Sequence, residues 1–168
     1  ATLSVTHILR KAGAFMNILV SACLLGENCK YSGGNNYNQA VCDFARGHQV
    51  VPVCPEVLGG LPTPRCPAEI VQGVVTNKEG INVDREFRAG AAKALAIAKE
   101  NGVELAILQS RSPSCGVKEI YDGTFSGTKI PGQGVFAKML MDEGIRVLDA
   151  GELPKIILKN EDGKCQSN

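Results

Sequence analysis

The sequence predicts an α/β protein: a single Rossmann-like, three-layer domain with a mainly parallel sheet and long loops at the carboxyl edge of that sheet. Two observations predict this class. Apolar, β-branched runs alternate along the chain with segments of helical periodicity, the order that places helices on the faces of a parallel sheet. The chain also has 168 residues, of which 44% are hydrophobic and 21% charged, which suits one domain with a real core.

Four short apolar runs predict the strands of the sheet. In chain order they are Asn17–Ser21, Gln49–Val53, residues 103–108 and residues 145–148. Pro52 lies inside the second run and has no N–H for a ladder hydrogen bond. We therefore expect that run to be an edge strand, or Pro52 to occupy an end position in its strand.

Three segments between these runs predict helices, at residues 38–46, 86–100 and 133–143. The middle one carries an apolar stripe that includes Phe87 and Ala91, at the spacing of one helical face. The remaining segments 27–37, 54–67 and 110–134 are rich in Gly, Pro, Ser and Asn. Irregular segments of such length in a compact domain are usually functional, and these follow predicted strands.

Composition excludes several classes of function. The net charge is +1, aromatic residues make up 5% with no Trp, and the chain has no apolar run long enough to cross a membrane. Long nucleic acids and membranes are therefore not expected as partners, because the chain lacks a basic excess, stacking platforms and a membrane span. A small molecule is the expected partner, and the oligomeric state stays open.

Seven cysteines against two histidines are the outstanding feature of the composition. The chain is too long and too rich in apolar residues to need disulfides, so we expect reduced thiols and a cytoplasmic location. A strand-like run follows Met16 directly. We therefore expect residues 1–15 to be an added leader or a disordered extension, residues 16–160 to form the domain, and residues 161–168 to be a tail.

Three of the cysteines follow predicted strands. Cys23 comes after the first strand, Cys54 ends the second, and Cys115 follows the third by a short loop. Since the carboxyl ends of parallel strands share one edge, we expect the three thiols to converge there. Soft thiolates select zinc, copper(I) or iron–sulfur clusters, and the spacing alone leaves that choice open. A structural zinc site has only weak support, because the sequence contains no Cys-x-x-Cys pair.

Three motifs around these cysteines resemble those of a known family. They are SACLLG-x-x-C-x-Y-x-G at residues 21–33, VCPE-x-x-GGL-x-x-PR-x-PAEI at residues 53–70 and SPSCG-x-x-x-IYDGTF at residues 112–125. The combination looks like the thiouracil desulfidase (TudS-type) family, formerly a domain-of-unknown-function family. Three motifs in the right order make the resemblance specific, and it spans residues 16–160.

The resemblance implies a cofactor, an activity and five site residues. Cys23, Cys54 and Cys115 match the ligands of a [4Fe–4S] cluster with one iron free of protein ligands. Glu56 matches the catalytic carboxylate and Ser112 the proton-relaying hydroxyl. The implied reaction is non-redox desulfuration of a thiolated nucleobase or nucleoside such as 4-thiouracil: the open iron binds the thiocarbonyl sulfur, Glu56 activates water, and sulfide is released.

Arg65, Glu69 and Ser114 are further candidates for binding the substrate. Arg65 and Glu69 are charged residues in a Pro-rich loop, where a surface ion pair or a loop anchor is the alternative. Ser114 precedes Cys115, where it could cap the following turn or donate a hydrogen bond to a cluster sulfur.

The other cysteines and the histidine receive weaker assignments. Cys29 could be a fourth ligand or a resolving thiol, but we expect neither, because a fourth ligand would close the open iron. Cys66 is expected to be structural or incidental, Cys42 to lie in the core, and Cys165 has no argued role. His48 follows a helix end, where a C-cap or a cation near the helix dipole is expected.

Two other functions stay open. The first is a metal-binding or sulfur-binding carrier protein without turnover. The second is an enzyme with Cys115 as nucleophile, which would need a partner base and has only His48 available in the body of the chain.

Overall fold

The structure is a computed structural model, which describes residues 15–153. Most of the expected leader and the whole expected tail, including Cys165, lie outside the described residues. The strands are β1 (Asn17–Ser21), β2 (Gln49–Val53), β3 (Ala68–Val71), β4 (Val74–Asn77), β5 (Leu105–Leu108), β6 (Glu119–Tyr121), β7 (Lys129–Pro131) and β8 (Arg146–Asp149). The helices are α1 (Gln39–Ala45), α2 (Pro55–Leu58), α3 (Asp84–Glu100) and α4 (Val135–Asp142), with short 3-10 turns at Ala22–Leu25 and Ala150–Glu152.

A four-stranded parallel sheet in the order β2-β1-β5-β8 forms the centre of the domain. The prediction of a mainly parallel sheet is confirmed. Pro52 lies on an edge strand, as expected, because β2 pairs only with β1 among the described strands. All four strands run the same way, so their carboxyl ends share one edge.

Alternate side chains of the sheet supply two separate cores. Leu19 and Ala106 pack with α3 and α4 on one face, where Phe87 and Phe136 are fully buried. On the other face, Ile18 belongs to the core that α1 completes. The period-two alternation of the central strands thus produces the predicted three layers.

Two β-hairpins lie where no strand is predicted from the sequence: residues 68–77 carry no predicted element, and residues 119–131 lie inside a segment predicted to be irregular. β3 pairs antiparallel with β4, and β6 with β7. The strands have three or four residues each, and β7 is exposed along its whole length. Such short strands give no hydrophobic alternation that a sequence pattern can register.

Helices α2 and α3 approach each other through two glycines. A Cβ at Gly59 would collide with the carbonyl of Glu86, and a Cβ at Gly90 with the carbonyl of Pro55. The missing side chains let the two backbones touch, which fixes α2 at the carboxyl end of β2. Among the described residues, no helix is both long and apolar enough to serve as a membrane span.

Candidate active site

The three predicted cysteines line one cavity of about 440 Å³ at the carboxyl edge of the sheet. Cys23 lies in the 3-10 turn after β1, Cys54 is the N-cap of α2, and Cys115 lies in the loop after β5. The convergence expected from the strand ends is present. Glu56, Ser112, Ser114, Arg65 and Glu69 line the same cavity.

The loop that carries Cys115 is held by a serine and by a helix. Ser112 Oγ accepts the backbone N–H groups of Ser114 and Cys115, both at 3.1 Å. The first N–H groups of α4 donate in turn to the carbonyls of Pro113 and Ser114. A Cβ at Gly134 would lie 2.5 Å from the Ser114 carbonyl oxygen, so the helix starts as close to the loop as the chain allows. These contacts fix the backbone of the loop that carries the Cys115 thiol.

Burial dominates the electrostatics of the thiols. It raises the pKa of Cys23, where the hydrogen bond from Asn36 Nδ2 to Sγ at 3.4 Å acts in the opposite sense. It also raises the pKa of Cys115, and that of Cys29 to about 12, with the neighbouring Cys54 and Cys23 adding to the Cys29 shift. A positive metal centre would offset this cost, since metal binding releases the thiol proton.

Each carboxylate oxygen of Glu56 accepts a hydrogen bond from a neighbouring side chain. Oε1 accepts from Arg65 Nε at 3.1 Å and Oε2 accepts from Ser114 Oγ at 3.0 Å. The Arg65 side chain is only 6% exposed. Its remaining donors bind the carbonyls of Cys29, at 2.8 Å, and Pro62, at 3.2 Å, together with Thr63 Oγ1. Arg65 therefore forms a buried ion pair instead of the surface pair that the sequence left as its alternative.

Glu69 anchors a loop. Its Oε1 accepts the backbone N–H groups of Gly123, at 3.0 Å, and Phe125, at 3.2 Å, in the segment that follows β6. Phe125 has a positive φ of 56°, and Glu69 stabilises that unusual backbone. The carboxylate also borders the cavity, so the expected role in substrate binding stays a prediction.

Two weaker assignments differ from the structure. His48 Nδ1 accepts the backbone N–H of Met16 at 3.1 Å, and burial lowers the pKa of the ring. His48 is therefore a neutral acceptor that ties the start of β1, not a cation at a helix end. Cys42 is half-buried at the surface of α1, with its Sγ 3.8 Å from the Leu24 carbonyl, because the buried face of this short helix is formed by Val41 and Ala45.

Sequence reasoning missed several residues that line the cavity. Asn36 lies in an Asn- and Gly-rich loop where no pattern distinguishes one amide from the next. Lys30, Lys78 and Arg111 also border the cavity and have no ion-pair partner among residues 15–153. Arg111 has a positive φ of 63°, which is uncommon for a residue with a side chain.

The donor set of the cavity fits an iron–sulfur cluster, because cysteine thiolates are the usual protein ligands of such clusters. Within the described part of the chain, no three His, Cys, Asp or Glu side chains are close enough to share a single ion. A cluster spreads its ligands around several metal atoms, and three thiols around a cavity of this size match that demand. All six cysteines of residues 15–153 are free thiols.

The fold and the cavity together define a class: an α/β protein with three thiols, the residue type that ligates soft metal centres, at the carboxyl edge of its parallel sheet. The sequence model of the 2-thiouracil desulfurase family matches residues 18–152 of the chain. The chain therefore belongs to the 2-thiouracil desulfurase family, a family of desulfidase enzymes. The membership expected from the three motifs is confirmed.

The chain is also similar to two known proteins. The chain is 42% identical over 150 residues to the uncharacterized protein YbbK of Bacillus subtilis (strain 168), an alignment that covers 83% of this chain and 99% of that protein. It is also similar to a solved structure of the [4Fe-4S]-dependent thiouracil desulfidase TudS (DUF523Vcz). The TM-score is 0.77 and the identity 39%, with 86% of this chain and 97% of that chain covered.

Proposed function

We propose that this protein removes the thiocarbonyl sulfur of a thiolated nucleobase or nucleoside, such as 4-thiouracil, as sulfide. The observation that carries the proposal is the position of Glu56, whose carboxylate shares one cavity with the three thiols and is held at both oxygens. The reaction balances as thiocarbonyl plus water giving carbonyl plus hydrogen sulfide, with no change of oxidation state. The similarity to TudS supports the same class of substrate.

Cys23, Cys54 and Cys115 are the residues that would hold a [4Fe–4S] cluster. When bound, such a cluster supplies one iron without a protein ligand, a Lewis acid with affinity for sulfur. The cavity would leave room for the ring of a base beside that iron, because its volume of about 440 Å³ lies in the usual range of small-molecule pockets.

The acid–base work falls on the side chains of the chain itself. Glu56 would take a proton from the water whose oxygen attacks the thiocarbonyl carbon, and Ser112 would exchange a proton with the ring. The pair with Arg65 holds the carboxylate in place through a charge-assisted hydrogen bond. Free thiols in the described residues are consistent with a reducing compartment, and we propose the cytoplasm as the place of action.

The other two functions have less support. A nucleophilic Cys115 would need a low pKa, whereas burial raises the pKa of this thiol. His48, its one candidate base, is bonded to Met16 and is absent from the lining of the cavity. A carrier would bind sulfide or metal without forming product, an outcome that the experiment below distinguishes.

The test is anaerobic reconstitution with iron and sulfide, followed by incubation with 4-thiouracil and measurement of uracil and sulfide. We expect equal amounts of both products. Glu56→Gln should keep the cluster absorbance and lose activity by about 100-fold or more. Glu79→Gln, a matched change at an exposed position, should leave activity unchanged. Bound sulfide without uracil would favour the carrier, and an active Glu56→Gln would overturn the role of the carboxylate.

A further inference from the structure

Ser114 connects the two side chains to which the reaction assigns proton transfer. Its Oγ lies 2.8 Å from Ser112 Oγ and 3.0 Å from Glu56 Oε2. No hydrogen bond joins Ser112 directly to Glu56 within the described residues. We propose that Ser114 is a relay residue that carries a proton between Glu56 and Ser112, an inference that rests on the proposed function.

The hydrogen-bond partners fix the direction of the chain. Ser114 Oγ carries one proton, which it donates to Glu56 Oε2 while the carboxylate is ionised, so it is the acceptor in its contact with Ser112 Oγ. The Ser112 hydroxyl, whose oxygen also accepts the backbone N–H groups of Ser114 and Cys115, is therefore the donor of that contact. Ser114 in turn donates to Glu56, so each proton points toward the carboxylate while the carboxylate is ionised.

The surroundings leave Ser114 little alternative. Ser114 is 1% exposed, so water is largely excluded from its hydroxyl group. The remaining hydrogen-bond partner of Ser114 Oγ, the sulfur of Cys115, is farther away at 3.7 Å. On the carboxylate, Oε1 is occupied by Arg65, so that Oε2 is the oxygen joined to the relay. The backbone contacts that hold the 112–116 loop keep the two hydroxyls aligned.

The proton transfer balances at every atom. After Glu56 has taken a proton from the attacking water, that proton passes from Oε2 to Ser114 Oγ. For this transfer both hydroxyl groups turn about their Cβ–Oγ bonds once Glu56 is protonated, so that Ser114 gives its own proton to Ser112 Oγ and Ser112 gives its proton to the ring nitrogen beside the thiocarbonyl carbon. Each hydroxyl gains one proton and loses one, so neither serine becomes charged. The chain reverses when the ring nitrogen gives a proton back.

Ser114→Ala tests the relay, because it deletes one buried oxygen and adds nothing. We expect kcat for sulfide release from 4-thiouracil to fall by about 100-fold, while KM stays within about twofold. Cluster absorbance and iron content should match the wild type. Ser114→Thr, which restores the hydroxyl, should recover most of kcat, and Ser32→Ala, an exposed serine, should change neither constant.

A second measurement needs neither cluster nor turnover. In cluster-free protein at neutral pH, the infrared carboxylate band of Glu56 is identified by its disappearance in Glu56→Gln. Ser114→Ala should shift that band, because one oxygen loses its hydrogen-bond donor, while Ser32→Ala should not.

The outcomes separate the relay from the proposed function. Activity of Ser114→Ala within about threefold of wild type overturns the relay, as does an unshifted infrared band. Loss of the cluster in Ser114→Ala assigns the residue a structural role and also overturns it. A wild type that loads a cluster but releases no sulfide contradicts the proposed function instead, and the infrared measurement still decides whether Ser114 bonds to Glu56.

Discussion

Arg65 Nε lies 3.1 Å from Glu56 Oε1, and the guanidinium that makes this contact is almost completely removed from solvent. The same guanidinium donates to the carbonyl of Cys29, which also lies 3.9 Å from the sulfur of Cys54. One side chain thus ties the carboxylate to the loop that follows the first strand. Arg65 is expected to position Glu56 instead of touching the substrate.

Replacing Arg65 should therefore lower kcat more than it raises KM. Arg65→Met leaves the carboxylate without its ion-pair partner, which costs about 1–3 kcal/mol and lets the group rotate. A displacement of about 1 Å at a reacting group can cost about 100-fold in rate. Arg65→Lys keeps the charge but not the planar set of donors, so it should recover activity only in part. Steady-state kinetics on variants of equal iron content checks this, and an effect on KM alone would indicate that Arg65 binds substrate.

The cysteines should separate into two groups on reconstitution with iron and sulfide. Serine at a ligand position should abolish the charge-transfer absorbance and the retention of about four iron atoms per chain. Serine elsewhere should leave both intact. Cys29 is the informative member of the second group, since it borders the cavity. The expected ligands are Cys23, Cys54 and Cys115, and the expected non-ligands are Cys29, Cys42 and Cys66. Loss of iron in Cys29→Ser would contradict the three-ligand assignment.

Gly90→Ala should destabilise the domain and disturb the site at the same time. The new methyl group would collide with the carbonyl of Pro55, so α2 and α3 must separate. Overpacking of this kind costs about 1–3 kcal/mol, or roughly 2–12 °C in Tm for a chain of this size. Because Pro55 lies between Cys54 and Glu56, cluster loading should also decrease.

Gly47→Ala is the matched control for that variant. An added Cβ at Gly47 meets nothing within 4 Å, and its φ is not positive, so Tm should stay nearly constant. Thermal unfolding monitored by circular dichroism measures both variants. Equal melting temperatures for the two would show that the α2–α3 contact tolerates a side chain.

Stability should decrease as the pH falls below the ordinary histidine pKa of about 6.5, in part because of His48. Burial lowers the pKa of the folded ring below that value. In this window the unfolded chain binds a proton that the folded chain does not, so the equilibrium moves toward unfolding. The loss stops once the pH is below the folded pKa as well.

His48→Asn isolates this contribution. Its side-chain oxygen can replace Nδ1 as the acceptor for the Met16 N–H without titrating. The free energy of unfolding from urea denaturation at pH 7.5 and 5.5 should fall less in the variant than in the wild type. An identical decrease in both would show that other groups account for the pH dependence.

The sequence allows the layers of the fold and the cysteine positions to be predicted, because both follow from periodicity. Strand ends at Ser21 and Val53 fix the edge at which Cys23 and Cys54 meet, and the structure places them there. The short hairpins could not be predicted, since β6 and β7 offer three residues each and no buried stripe.

The hydrogen bonds within the site were harder to predict than the identity of the residues that line it. Charge and sequence context indicate that Arg65 and Glu69 matter, but one forms a buried pair with Glu56 and the other binds two backbone N–H groups. Both arrangements depend on loops that meet only in three dimensions. His48 likewise follows a helix in sequence, while its partner is Met16, at the start of another element.

The order of strands in the sheet also sets when the cavity can form during synthesis of the chain. β1 is synthesised before the other three strands of the sheet, yet it lies in the interior of the sheet, where Ile18 pairs with Val50 on one side and with Leu105 on the other. One of its two partner strands, β5, is therefore synthesised only after α3 is complete. Parallel pairings between such distant segments form slowly, and the apolar residues of β1 stay exposed until then. A cofactor held by Cys23, Cys54 and Cys115 could be inserted only after β5 has been synthesised, because Cys115 follows that strand.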